Sequence, residues 1–253
     1  MRLDVTRSGS GSDVVLLHGW GLHRAVWDGV APALAARYRV HVVDLPGHGA
    51  SRDVPFESLD AVVARVADVT PDGALLCGWS LGGLVGLALA IRFPAKLSRL
   101  ALVGATPCFV QRRDWPHAMA PETLEDFARG LRDDPEATIA RFLALNAMGT
   151  AGARAQVRAL AARLARHGVP SPTTLEESLA ALRESDLRAQ AARVSTPTLV
   201  LHGRLDRLAP FVAGRWLADN IPHARWSEFH DAAHLPFMSH PDAFVAAIAH
   251  FHG

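Results

Sequence analysis

The sequence predicts an α/β protein, a mostly parallel sheet covered on both faces by helices and interrupted by an all-helical insertion. Short, nearly continuous apolar runs recur along the chain, as strands buried on both faces require. Longer amphipathic or Ala/Leu-rich runs alternate with them, the pattern of helices that cross over a parallel sheet. Between about Thr106 and Val194 the alternation stops and only helical stretches remain.

Taken in order, Val14-Val15-Leu16-Leu17 is an early strand, followed by a loop and a helix over about Arg24 to Ala36. Arg39 to Val43 is the next strand and Glu57 to Asp68 the next helix. Ala74-Leu75-Leu76-Cys77 is a buried strand, and the run Leu84 to Ile91 is apolar enough for a buried helix. A strand at Leu97 to Val103 closes the first part. Breaks at Pro116, Pro121, Gly149-Thr150, Gly168 and Pro170-Ser171-Pro172 divide the helical segment. Strands then return at Thr198 to His202 and Ala224 to Phe229, with helices over about Phe211 to Asn220 and Pro241 to Phe251. The expected organisation is a core over residues 1–105 and 195–253, with residues 106–194 forming a lid at the carboxyl ends of the strands, where open α/β sheets bind ligands.

The chain has 253 residues, 49% hydrophobic and 20% charged, which suits one sizeable core. A formal charge of +1 gives no whole-molecule attraction to nucleic acid, so electrostatic recognition must come from a local patch. Cys77 and Cys108 are the only cysteines, too few for a disulfide framework or a zinc site. The start, Met1 to Arg7, lacks the apolar stretch of a signal peptide. No apolar run nears the roughly 20 residues that span a bilayer. The expectation is a cytoplasmic monomer with no membrane or nucleic-acid partner.

Gly78-Trp79-Ser80-Leu81-Gly82 lies between the buried strand and the buried helix. A serine at such a turn takes a strained backbone, and its hydroxyl stands at the positive end of the helix. Strand, turn and helix together make this a nucleophile elbow. Serine is a weak nucleophile at neutral pH and needs a base, which in turn needs an acid to orient it. The chain order on such a fold is serine, acid, histidine. Asp206, in His202-Gly203-Arg204-Leu205-Asp206, and His234, in Asp231-Ala232-Ala233-His234, satisfy that order after late strands. Asp231 is the competing acid, but it is only three residues before His234 and is poorly placed to reach the ring from behind. His230, His234 and His240 lack the spacing of a hydrolytic zinc site, so no metal is expected.

An oxyanion hole needs two backbone N–H groups aimed at the developing charge. Leu81 supplies one, and Trp20 in His18-Gly19-Trp20-Gly21 the other. The loop Asp44-Leu45-Pro46-Gly47-His48-Gly49-Ala50-Ser51 reads as a structural turn.

Together these elements resemble the α/β-hydrolase superfamily along the whole chain. A narrower resemblance rests on Leu17 to Leu22, Gly78 to Val85, Arg141-Phe142-Leu143-Ala144-Leu145 and Met148-Gly149-Thr150, which are similar to the pimeloyl-[acyl-carrier protein] methyl ester esterases of biotin synthesis. That resemblance implies a serine carboxylesterase without cofactor, acting on a methyl ester carried by an acyl-carrier protein. It implies substrate contacts at Trp20, Ser80, Leu81, Phe142, Leu143, Ala144, Leu145, Asn146 and His234. Asn146 stands where a longer glutamine is expected, and Arg204 and Arg207 make the surroundings of Asp206 more basic than the family's.

From Ala137 to Val169 there are five arginines and no Asp or Glu. On a helix over about Ala153 to Arg166, an apolar stripe of Val157, Leu160, Ala161 and Leu164 leaves Arg154, Arg158, Arg163 and Arg166 on the wetter side. With Arg141, the pair Arg154 and Arg158 is expected to dock the acidic carrier. An ordinary solvated helix face is the competing reading. A general short-chain esterase, a carbon–carbon bond hydrolase, or a receptor that keeps the fold without turnover would share the same core.

Overall fold

The computed structural model describes residues 1–253. Its strands are β1 (Val5–Ser8), β2 (Asp13–Leu17), β3 (Arg39–Val43), β4 (Ala74–Trp79), β5 (Leu97–Val103), β6 (Thr198–Gly203) and β7 (Arg225–Phe229). They form one sheet in the order β1-β3-β2-β4-β5-β6-β7, parallel except for β1 against β3. The helices are α1 (Ala31–Ala35), α2 (Leu59–Val69), α3 (Leu81–Arg92), α4 (Pro121–Asp133), α5 (Pro135–Asn146), α6 (Ala153–Leu164), α7 (Pro172–Glu184), α8 (Arg188–Ala191), α9 (Phe211–Asn220), α10 (Pro236–Ser239) and α11 (Pro241–His252).

Strand order reverses between β2 and β4, which run parallel, and that is the place where a doubly wound sheet opens a crevice. Register lines up the carboxyl ends there. Leu17 pairs with Gly78, Trp79 with Val103, Val103 with Leu201 and Gly203 with Phe229. The loops after β2, β4, β6 and β7 therefore leave the sheet at one edge.

β4 is buried throughout, and α3 is buried along all but its last two residues, as their apolar sequences require. Helices α4 to α8 all lie between β5 and β6, in the segment where strand signals end. Leu124, Phe127, Ile139, Phe142, Leu160 and Leu175 of these helices join the same apolar core as the sheet. The insertion is thus fastened to the core by burial rather than perched on it.

Three local readings differ from the structure. β1 has no counterpart in the sequence reading, because three of its four residues are exposed and it carries no apolar pattern. The helix expected over Arg24 to Ala36 is split into a 3-10 segment at Arg24–Gly29 and the short α1. His23 caps the first piece, accepting the Ala25 N–H on its ring, and the Val30 N–H turns back to the Trp27 carbonyl, ending it. The third difference is α6, which ends at Leu164. Ala161 is exposed, and Arg163 is half-buried because it donates to the Val26 carbonyl at 2.9 Å. Arg166 pairs with Asp28. Only Arg154 and Arg158 of that set remain exposed without an acidic partner in reach.

Candidate active site

Ser80 sits between β4 and α3 with φ +55° and ψ −115°, outside the regions an L-residue favours. Its N–H donates to the Val103 carbonyl at 2.9 Å and its carbonyl accepts from Leu84, so both neighbours hold the strained turn. Gly78 and Gly82 are needed for space rather than for φ. A Cβ on Gly78 would lie 2.1 Å from the Gly82 carbonyl oxygen, and one on Gly82 would lie 2.5 Å from that of Leu17.

His234 follows β7 and is buried, and its Nδ1 lies 2.7 Å from Asp206 Oδ2. The carboxylate fixes the tautomer by accepting the Nδ1 proton, which leaves Nε2 free to face the cavity. Asp206 is itself positioned by two backbone donors, the N–H groups of Leu208 and Ala209, each 2.9 Å from Oδ1. Burial pushes the Asp206 carboxyl up, but His234, and after it His202, outweigh that and hold it well below the usual carboxylate range. Asp231 is exposed, and the carboxylate on the ring is that of Asp206. Arg204 pairs with Glu228 at 3.0 Å and Arg207 is exposed, so neither arginine sets the charge state of Asp206.

The main chain of His234 is gripped from two sides. Its N–H donates to the Asn146 carbonyl at the end of α5 (3.1 Å), and its carbonyl accepts the Trp79 indole N–H (2.8 Å). Trp20 joins core to insertion in the same way. Its indole N–H donates to the Leu175 carbonyl on α7 at 3.1 Å, and its ring meets Phe142 edge-on at 4.9 Å. The backbone N–H groups of Trp20 and Leu81 donate to no backbone carbonyl, leaving them free for a ligand oxygen.

His18 and His48 explain the two early loop signatures. His18 donates from Nδ1 to the Gly19 carbonyl and accepts the Leu45 N–H on Nε2, tying the first loop to the second. Burial pushes both His18 and His48 down to about 3, so they are neutral fixtures.

Ser80, His234 and Trp20 line one cavity of about 40 Å³, whose other walls are Phe109, Met119, Leu124, Phe127, Phe142, Leu179, Leu182 and Leu208. Of the contacts expected on α5, only Phe142 lines it. Leu143, Ala144, Leu145 and Asn146 do not, and neither does Leu81. Ala144 faces solvent, because α5 has a single inward face. Asn146 is fully buried and donates its amide to the Phe142 carbonyl at 2.7 Å. The walls from α4 and α7 have no signal in the sequence beyond ordinary amphipathicity. Arg141 lies over the Phe127 ring at 5.4 Å, on the outer side of that wall.

At about 40 Å³ the cavity has room for a few waters. No helix is long and apolar enough to cross a membrane.

The family described as the alpha/beta hydrolase fold matches residues 14–241. The pimeloyl-[acyl-carrier protein] methyl ester esterase of Nitrosomonas europaea is 43% identical over 96% of this chain and 97% of its own. The protein of the same name from Chromobacterium violaceum is 46% identical over 98% and 97%. Among solved structures, an esterase from Exiguobacterium antarcticum superposes with a TM-score of 0.90 at 24% identity, covering 99% of this chain and 96% of that one, which is a likeness of fold. Sheet order, elbow and these matches agree: the chain belongs to the α/β-hydrolase family.

Proposed function

We propose that the chain is a serine carboxylesterase that removes the methyl group from pimeloyl-[acyl-carrier protein] methyl ester. The observation that carries the reading is the meeting of Ser80, His234 and Trp20 on one apolar cavity, with His234 held by Asp206. The names of the full-length relatives supply the substrate class.

In this mechanism His234 takes the Ser80 proton as the hydroxyl oxygen attacks the ester carbonyl. The N–H groups of Trp20 and Leu81 receive the oxyanion. His234 returns the proton to the departing methoxide, which leaves as methanol. Water, deprotonated by the same ring, then splits the acyl-enzyme into free Ser80 and a carboxylic acid. No cofactor takes part. The apolar walls accept the acyl chain, and Phe142 and Trp20 bracket it. Leu143, Ala144, Leu145 and Asn146 belong to the proposed substrate region through α5.

Residues 106–194 act as the lid. Arg154 and Arg158, exposed on α6, and Arg141, above Phe127, are the proposed contacts for an acidic carrier protein in the cytoplasm. The test is mass-spectrometric loss of the methyl group from the carrier-bound ester, with Ser80→Ala as the control. Turnover by the wild type and none by the variant is expected. Equal cleavage of free short esters and of the carrier-bound ester would favour a general esterase instead.

A further inference from the structure

The carboxylate that holds His234 has a second imidazole beside it. His202, at the end of β6 and fully buried, has its Nε2 at 2.8 Å from the Ala209 carbonyl and 3.3 Å from Asp206 Oδ2, the same oxygen that holds His234. A carbonyl only accepts, so the proton on the His202 ring is on Nε2. Nδ1 has no partner and faces α9, where a Cβ on Gly214 would lie 2.1 Å from it. The ring is stacked on Trp226 at an interplanar angle of 18° and meets Phe211 edge-on. Strand, stack and glycine leave it one orientation.

We infer that His202 is a positioning residue for the proposed hydrolysis: its Nε2–H, donated to the Ala209 carbonyl, also faces Oδ2, fixing the Asp206 carboxylate and drawing off part of the charge that would otherwise fall on His234. Ala209 is bonded in both directions, its carbonyl to His202 and its N–H to Asp206 Oδ1, so the ring also braces the turn that orients the acid. The other ionisable groups around the pair are His234, Glu228 in register with His202 on β7, and Arg204 and Arg215 over Phe211 and Trp226. Glu228 is engaged by Arg204 and His230.

This rests on the esterase reading. The test compares His202→Phe, which keeps an aromatic ring against Trp226, with His202→Gln, which keeps a side-chain N–H. Each is assayed with p-nitrophenyl butyrate across the pH range, alongside thermal unfolding. Without the Nε2–H, Oδ2 serves His234 alone and favours its protonated form. The Phe variant should lose about tenfold in kcat at near-constant KM, and the acid limb of its pH–rate profile should rise by about half a pH unit. The Gln variant should recover most of both. An unmoved limb in the Phe variant, or a Gln variant that falls as far as Phe in step with its Tm, would reduce His202 to packing and overturn the inference. The His234 ring titration followed by NMR needs no turnover and must move upward in the Phe variant. A wild type without esterase activity would therefore sink the esterase reading alone, while a stationary titration would sink this one.

Discussion

Trp79 donates its indole N–H to the carbonyl of His234 across 2.8 Å. The residue immediately before Ser80 thus holds the backbone of the histidine that shares its cavity, and the elbow and the last loop are set by one side chain. Trp79→Phe keeps an aromatic ring but is smaller than the indole and strands a buried carbonyl, at a cost of about 1–3 kcal/mol for the carbonyl with a cavity penalty added. Urea unfolding should show that loss, and kcat for a small ester should fall while KM stays near wild type. An unchanged kcat would separate the tryptophan from the placement of His234.

Asp206→Asn preserves shape but offers the His234 ring an amide that can present its N–H instead of an acceptor. The tautomer then reverses, and kcat should drop by about 10³- to 10⁴-fold, as when triad acids elsewhere are neutralised. Circular dichroism should show the fold intact. A loss below about tenfold would remove Asp206 from its proposed role.

Acid should weaken the folded state early. His18 and His48 stay neutral down to about 3 in the fold because burial opposes their charge, whereas exposed imidazoles protonate near about pH 6.5. Between those limits the unfolded chain binds more protons, so stability falls as pH falls, by up to about 1.4 kcal/mol per pH unit for each ring. Asp206, held below the usual carboxylate range, adds stability above the unfolded carboxylate value, and that part is lost only at still lower pH. The urea midpoint should be level above about pH 7 and drop steeply toward pH 4. A flat midpoint over that interval would contradict the buried-neutral assignment.

Reversing two exposed charges should divide the substrates. Arg154→Glu with Arg158→Glu should raise KM for the carrier-bound ester by about tenfold and leave a small ester unaffected. The difference should shrink as salt is added, since such charges are screened over roughly 10 Å at 0.1 M. Equal effects on both substrates would take the docking role from α6.

What could be read from the chain and what could not divide along a physical line. β4, the elbow and α3 stand out because a strand and helix buried on every side must be apolar throughout. Asp206 and His234 follow from chain order alone. The edge strand β1 carries no such signal, since its exposed residues are free to be polar. Arg163 looked solvated by helical periodicity, but the neighbouring 3-10 segment offered it the Val26 carbonyl, a contact that exists only once two distant elements pack. The cavity walls are hidden for the same reason: Leu124, Phe142 and Leu179 come from three helices, and nothing in any one of them marks the shared face. His202 stood in the same short string as Asp206, four residues away, and only its orientation across the turn reveals the contact.

The greasy walls around Ser80 have a consequence for the second half of a catalytic cycle. An ester enters uncharged, but hydrolysis creates an anion, and no lysine or arginine stands on those walls to welcome it. Stranding a carboxylate among Phe, Leu and Met side chains is costly. On the esterase reading, the same surroundings that suit the reactant are therefore hostile to what it becomes, and they favour release of the acid.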